Sequence, residues 1–140
     1  MTPDAVALFA TVILLLPMTY LLLAAPAFLL VKLDIPAVAQ LLRGMFNAYF
    51  LMLTIAGVIS AVSFAVDGRP AFVIGIGLIV AFAVWARRWF LREMDVQLGT
   101  SHAADAEAAR RLRRLHWGGM LCNAVQLVAI VGCIPYLAPA

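Results

Sequence analysis

Charge is scarce in this chain. Of its 140 residues only 12% are Asp, Glu, Lys or Arg, against roughly 25% in ordinary soluble domains. Histidine and cysteine are rarer still, at two each. No Ser-His-Asp or Cys-His set, carboxylate pair, Gly-rich phosphate loop or CxxC is present, so no catalytic residue is assigned. Cys122 and Cys133 stand eleven positions apart in one expected helix, about 16 Å at 1.5 Å per residue. A disulfide needs Cα atoms within about 7 Å, so the two read as small apolar packing residues.

What is abundant is apolar. The chain is 66% hydrophobic, with a mean hydropathy of +1.05. Four runs, about 5–30, 37–66, 71–89 and 117–137, are each long enough for a hydrocarbon core of roughly 30 Å. The expected fold is an all-α membrane protein, a single four-transmembrane-helix bundle over 1–140. Asp4 and no base precede the first run, the reverse of a secretory leader, which predicts a retained first helix.

Ten basic residues set the expected orientation. Lys32, Arg43, Arg87, Arg88, Arg92, Arg110, Arg111, Arg113 and Arg114 fall at the first and third connections, and only Arg69 falls at the second. The positive-inside rule then puts connections one and three in the cytoplasm and both termini outside, in an expected bacterial inner membrane. Trp85, Trp89 and Trp117 fall at the same boundary, as an aromatic belt would. The segment TSHAADAEAARRLRRL predicts a short cytoplasmic amphipathic helix before the fourth span. Thr100 or Ser101 caps it, Glu107 pairs with Arg111, and a bend is allowed at Gly118-Gly119. Arg87, Arg88, Arg110, Arg111, Arg113 and Arg114 are expected at the membrane surface, where each contributes about 1 kcal/mol toward anionic headgroups. So short a tethered patch does not predict a nucleic-acid partner.

Two spans carry polar residues at helical spacing. In the fourth, His116 and Asn123 share a face with Met120 and Leu127, and Gln126 lies at its edge, while Cys122 points elsewhere. In the second, Gln40, Arg43, Asn47 and Thr54 recur at i, i+3, i+7 and i+14. Because buried amides and charges need partners, both stripes are expected to face the bundle interior, with Tyr20 at matching depth. Two uses remain open for them. Arg43, Asn47, His116, Asn123, Gln126, Tyr20 and Gln40 could line a site for a small anionic or amphipathic ligand or lipid. Alternatively, Arg43 pairs with Asp34 or Asp95 while the amides bridge helices. His102 is the only other histidine, so haem or metal at His116 is not expected and no cofactor is predicted.

The stretches AAPAFLLVKLDIPAVAQLLRGMFNAYF and RRLRRLHWGGMLCNAVQLV carry a resemblance. They are similar to the four-helix membrane family of domain-of-unknown-function type that includes eukaryotic transmembrane protein 205. The His116-to-Asn123 spacing is its most distinctive part, and Trp117 stands where that family typically has glycine. The resemblance implies a four-helix fold and no established reaction; animal members are associated with tolerance of platinum drugs. Arg43 and Asn47 also resemble the second helix of the membrane-associated eicosanoid and glutathione enzymes, with Phe50 in place of their acid. Small four-helix oxygenases of the anthrone-oxidising kind are a third resemblance. The expected role is non-catalytic: binding a small ligand or lipid between helices, or serving as a partner subunit of itself or of another membrane protein. The alternatives are the glutathione-transferase-like and oxygenase activities.

Overall fold

A computed structural model describes residues 3–100 and 106–136. Four helices make up almost all of it: α1 (Pro3–Ala24), α2 (Pro36–Val66), α3 (Pro70–Thr100) and α4 (Ala106–Cys133). A 3₁₀ turn over Ala25–Leu29 continues α1, and another over Ile134–Tyr136 ends α4. All four are long and apolar enough to cross a membrane, and their outward faces are apolar, as at Leu23, Leu78 and Val128, each more than two-thirds exposed. A water-soluble protein would not leave such faces on every side. The chain is an integral membrane protein.

The helix ends follow local chemistry. Pro36 and Pro70 open α2 and α3, where a missing N–H costs nothing. The expected turn after α2 is present: Gly68 sits at φ +70°, the left-handed position that ends helices. The Arg69 amide donates to the Phe64 carbonyl at 3.0 Å, and Arg69 pairs with Asp67 at 2.9 Å.

Around the bundle, α1 packs on α2, α2 on α3, α3 on α4, and α4 back on α1. Helix α2 supplies the largest share of the buried core, with Leu42, Met45, Phe46, Tyr49 and Leu53 at i, i+3, i+4, i+7 and i+11. It approaches α3 closely at Gly57, where any Cβ would collide with the Val80 side chain. All the basic residues but Arg69 gather toward one end of the bundle, called here the basic end; the 67–70 turn, with Arg69, lies at the other.

The lower part of the bundle differs from the expectation. Helix α3 runs on to Thr100 instead of stopping at Trp89, and α4 starts at Ala106. The anticipated short helix is therefore the first turns of α4, continuous through Gly118-Gly119. Arg87, Arg88 and Arg92 on α3, and the arginines of α4, are held on long helices that extend past the apolar runs, because nothing in either segment breaks the helical pattern. The Glu107–Arg111 pair forms, at 3.3 Å; the cap expected at Thr100 or Ser101 lies outside the residues whose side chains are described.

Candidate functional site

The polar residues of the two stripes go to different places. Asn123 is fully buried and ties three helices together: its amide donates to the Met18 carbonyl of α1 at 3.0 Å, and its side-chain oxygen accepts from the Tyr49 hydroxyl of α2 at 3.0 Å. Both its polar ends are satisfied inside the protein, as a buried amide requires. His116, one face-repeat nearer the basic end, is also fully buried. Its ring stands edge-on to Phe46 and Phe28, at centroid distances of 5.8 and 6.2 Å. The Ala25 backbone approaches it, but neither ring nitrogen completes a hydrogen bond.

The α2 stripe turns toward α3. Arg43 makes a two-pronged pair with Asp95, Nη2 to Oδ2 at 2.9 Å, of the fork-to-carboxylate geometry that suits guanidinium. The Asn47 carbonyl accepts two bonds from Arg87, at 3.0 and 2.9 Å. Thr54 bonds back to the Phe50 carbonyl at 2.8 Å. Gln40 and Tyr20 are exposed and join neither group. The seven residues expected at one site are thus distributed: His116 and Asn123 in a sealed centre, Arg43 and Asn47 on the α2–α3 seam, Gln40 and Tyr20 on the outer surface, and Gln126 half-buried on the face of α4 toward α3. Of the six arginines expected at the membrane surface, Arg88, Arg110, Arg111 and Arg114 are exposed. Arg87 is taken up by Asn47, and Arg113 donates to the Leu29 and Val31 carbonyls at 3.1 and 3.3 Å, holding the first connection against α4.

A different place is open. Between α3 and α4, with the edge of α2 behind them, lies a cavity of about 200 Å³. Phe82, Trp85, Trp89 and Phe90 of α3 wall one side, Tyr49 and Phe50 the back, and Gly118, Gly119, Cys122 and Gln126 the α4 side. Toward the basic end lies a notch of about 310 Å³ lined by Glu93, Arg111, Arg114 and Leu115. The two spaces share Trp89, Phe90 and Gly118 as walls. Gln126 and Cys122 sit one turn apart, the amide reaching the thiol at 3.9 Å, and the Gln126 side-chain oxygen has no partner.

Two adjacent glycines build this groove in opposite ways. A Cβ on Gly119 would drive into the Phe46 ring and crowd Phe90 at 3.3 Å, so glycine there lets α4 lie against α2 and α3. A Cβ on Gly118 would meet nothing within 4 Å, and this exposed position stands at the rim of the groove, where it also borders a space against α1. Phe90 is fixed from the far side by Phe46 and Phe50, at 4.9 and 5.8 Å. Trp85 and Trp89 lie nearly parallel, 9° apart. Aromatic faces held this way offer large apolar area at small entropic cost.

These aromatic residues and glycines were legible in sequence only as a belt and a possible bend. The available signal was spacing: Phe82, Trp85, Trp89 and Phe90 recur at i, i+3, i+7 and i+8, one helical face, opposite the small residues of α4. A second cavity, of about 280 Å³, lies at the other end among Thr11, Phe64, Phe72, Ile76 and Ile130 and is almost wholly apolar. Among the described residues no three His, Cys, Asp or Glu side chains come together as a metal site would need.

A four-helix bundle with an aromatic groove between its last two helices is the class of protein these features define. No protein family, curated protein or solved structure matches this chain.

Proposed function

We propose that this protein binds a small amphipathic molecule in the α3–α4 groove, its apolar part against Trp85, Trp89 and Phe90 and its anionic group at Arg111 and Arg114. The reading keeps the ligand role expected from sequence and, of the residues first named for it, Gln126; the rest of the site moves one helix face away, from His116 and Asn123 to Gly118 and Cys122. The observation that carries it is adjacency: an aromatic cavity and a cationic notch share three walls. An amphiphile needs those two environments side by side. Of the seven residues first expected to hold the ligand, Arg43, Asn47, His116 and Asn123 act as fasteners or as packed core in this reading.

Nine of the ten basic residues lie at the groove's charged end. By the positive-inside rule that end faces the cytoplasm, so the groove opens to the cytoplasmic leaflet. In this reading the groove binds without reacting, with its one thiol and one amide, Cys122 and Gln126, one turn apart on α4.

Gly118→Leu tests the proposal. The new side chain meets no protein atom at its Cβ and replaces a helical glycine, so the fold is kept or slightly stabilised, while the groove is filled. Mass spectrometry of protein purified from membranes in mild detergent is expected to find a co-purifying amphiphile with the native chain and at least a tenfold loss with Gly118→Leu. Equal retention by both proteins, with unchanged thermal stability, would refute binding in this groove.

A further inference from the structure

The notch at the mouth of the groove is not purely basic. Glu93 lines it together with Arg111 and Arg114. Among the described residues no ion pair joins Glu93 to either arginine, although all three border one space of about 310 Å³. Arg111 is engaged from behind by Glu107 of its own helix, and Glu93 accepts from the Gln97 amide at 3.1 Å, also on its own helix. Each charge is thus held on its own side, acid on α3 and bases on α4, with a gap between them.

From this arrangement we infer that the groove takes a zwitterionic lipid headgroup, a phosphate joined to a primary amine, rather than a simple anion. The phosphate meets Arg111 and Arg114, which offer guanidinium donors of matching geometry. The ammonium lies across the notch at Glu93, within reach of the Trp89 face for a cation–π contact. A primary ammonium donates hydrogen bonds to the carboxylate; a quaternary one cannot, and a glycerol headgroup brings no charge to match Glu93. One acyl chain follows the aromatic wall past Trp89 and Gly118 toward Cys122. The lipid is preferred to a soluble phosphoamine because the notch shares Trp89, Phe90 and Gly118 with an apolar cavity within the span, which a headgroup alone would leave unused.

The inference rests on the groove being a binding site, and one titration separates the two. The full-length protein in detergent is titrated with phosphatidylethanolamine and phosphatidylglycerol of identical acyl chains and read by native mass spectrometry. Phosphatidylethanolamine is expected to be retained about three- to fivefold more tightly, the size of one partly exposed charge contact. Glu93→Gln keeps the Gln97 contact in shape but removes the charge; it is expected to erase or reverse that preference while total lipid retention persists. Gly118→Leu is expected to abolish retention of both lipids.

Equal retention of the two lipids by the native chain, or a preference that survives Glu93→Gln, overturns the headgroup assignment and leaves the groove standing. Retention of neither lipid, or retention unaffected by Gly118→Leu, overturns the groove itself. Water-soluble glycerophosphoethanolamine is the remaining arm: it is expected not to displace bound lipid, and displacement at concentrations equal to the lipid would show a soluble phosphoamine to be the ligand.

Discussion

Helix α4 presents two faces that use polarity in opposite ways. On the side facing α1 and α2, His116 and Asn123 are buried among packed rings and the Asn123 bonds are closed. On the side facing α3, Gly118, Cys122 and Gln126 border a cavity, and Arg111 and Arg114 border a notch with Glu93, paired with neither, on α3. The comparison teaches that a polar residue in a membrane span is not by itself a pointer to a ligand. Where a side chain's bonding capacity is met by other helices, as at Asn123, polarity is a fastener. Where small residues and rigid rings leave volume, as at Gly118 and Trp89, an apolar stretch makes the better pocket.

The largest test of the division uses the neighbouring glycines. Gly119→Val puts a branched side chain where Phe46 and Phe90 already are. Overpacking of this kind costs about 1–3 kcal/mol or more, and a large drop in thermal unfolding temperature in detergent is expected, partly restored by Phe46→Ala. Gly118→Leu, one residue away, should leave the temperature unchanged or raised. If the two variants behaved alike, the contrast between a closed and an open face of α4 would fail.

Asn123→Leu comes next. It removes two hydrogen bonds and strands the Tyr49 hydroxyl, 2% exposed as a residue, in an apolar setting; about 1–3 kcal/mol is expected for that orphaned group. Adding Tyr49→Phe removes the orphan, so the double variant should be more stable than Asn123→Leu alone. The expected coupling is modest, about 0.6 kcal/mol, as for other hydrogen bonds between membrane helices. Lipid retention should persist, because Asn123 holds the back wall of the groove only from behind, through the Tyr49 hydroxyl, and the α3 and α4 walls are unchanged. Loss of retention in Asn123→Leu at temperatures where the protein stays folded would return Asn123 to the binding machinery.

How far the sequence reached can be seen at particular residues. The four spans and the Asp67–Pro70 turn were legible because length, hydropathy and turn chemistry are local properties. The burial of His116 and Asn123 followed from helical spacing. Arg43 was harder: its spacing allowed a ligand or an acid, and only the extension of α3 through Asp95 to Thr100 decides for the acid. That extension was hidden because hydropathy ends at Trp89 while the helix does not; charged residues leave the membrane without leaving the helix. The groove was least legible. It depends on which faces of α3 and α4 meet, and on Gly118 and Gly119 having opposite surroundings although identical in sequence.

His116→Leu has a smaller expected effect and tests the sign of a buried imidazole. The ring lies between Phe28 and Phe46 with both nitrogens unbonded, so its polarity carries a desolvation cost without a compensating bond. Leucine removes that cost and gives up edge-on aromatic contacts of about 0.5–1.5 kcal/mol each at most. The two nearly cancel, and a change within about 1 kcal/mol is expected. A loss well beyond that would show that the imidazole is bonded in the working protein, to a ligand or to a proton pathway.

The smallest expected effect belongs to Arg43 and Asp95. Their pair is well aligned but open, with the two side chains 34% and 53% exposed, so solvent and headgroups screen it and about 0.2–1 kcal/mol is at stake. Arg43→Gln should therefore lower stability slightly, and the swapped pair Arg43→Asp with Asp95→Arg should recover part of that loss. The value of the measurement lies in what it says of the arginine's availability. If Asp95 is its partner, Asp95→Asn frees Arg43 without creating a new site, because Arg43 lies on the α2–α3 seam, away from the groove between α3 and α4. Lipid retention should then be the same in Asp95→Asn as in the native chain, and a marked gain would identify a second anion site held closed by the carboxylate.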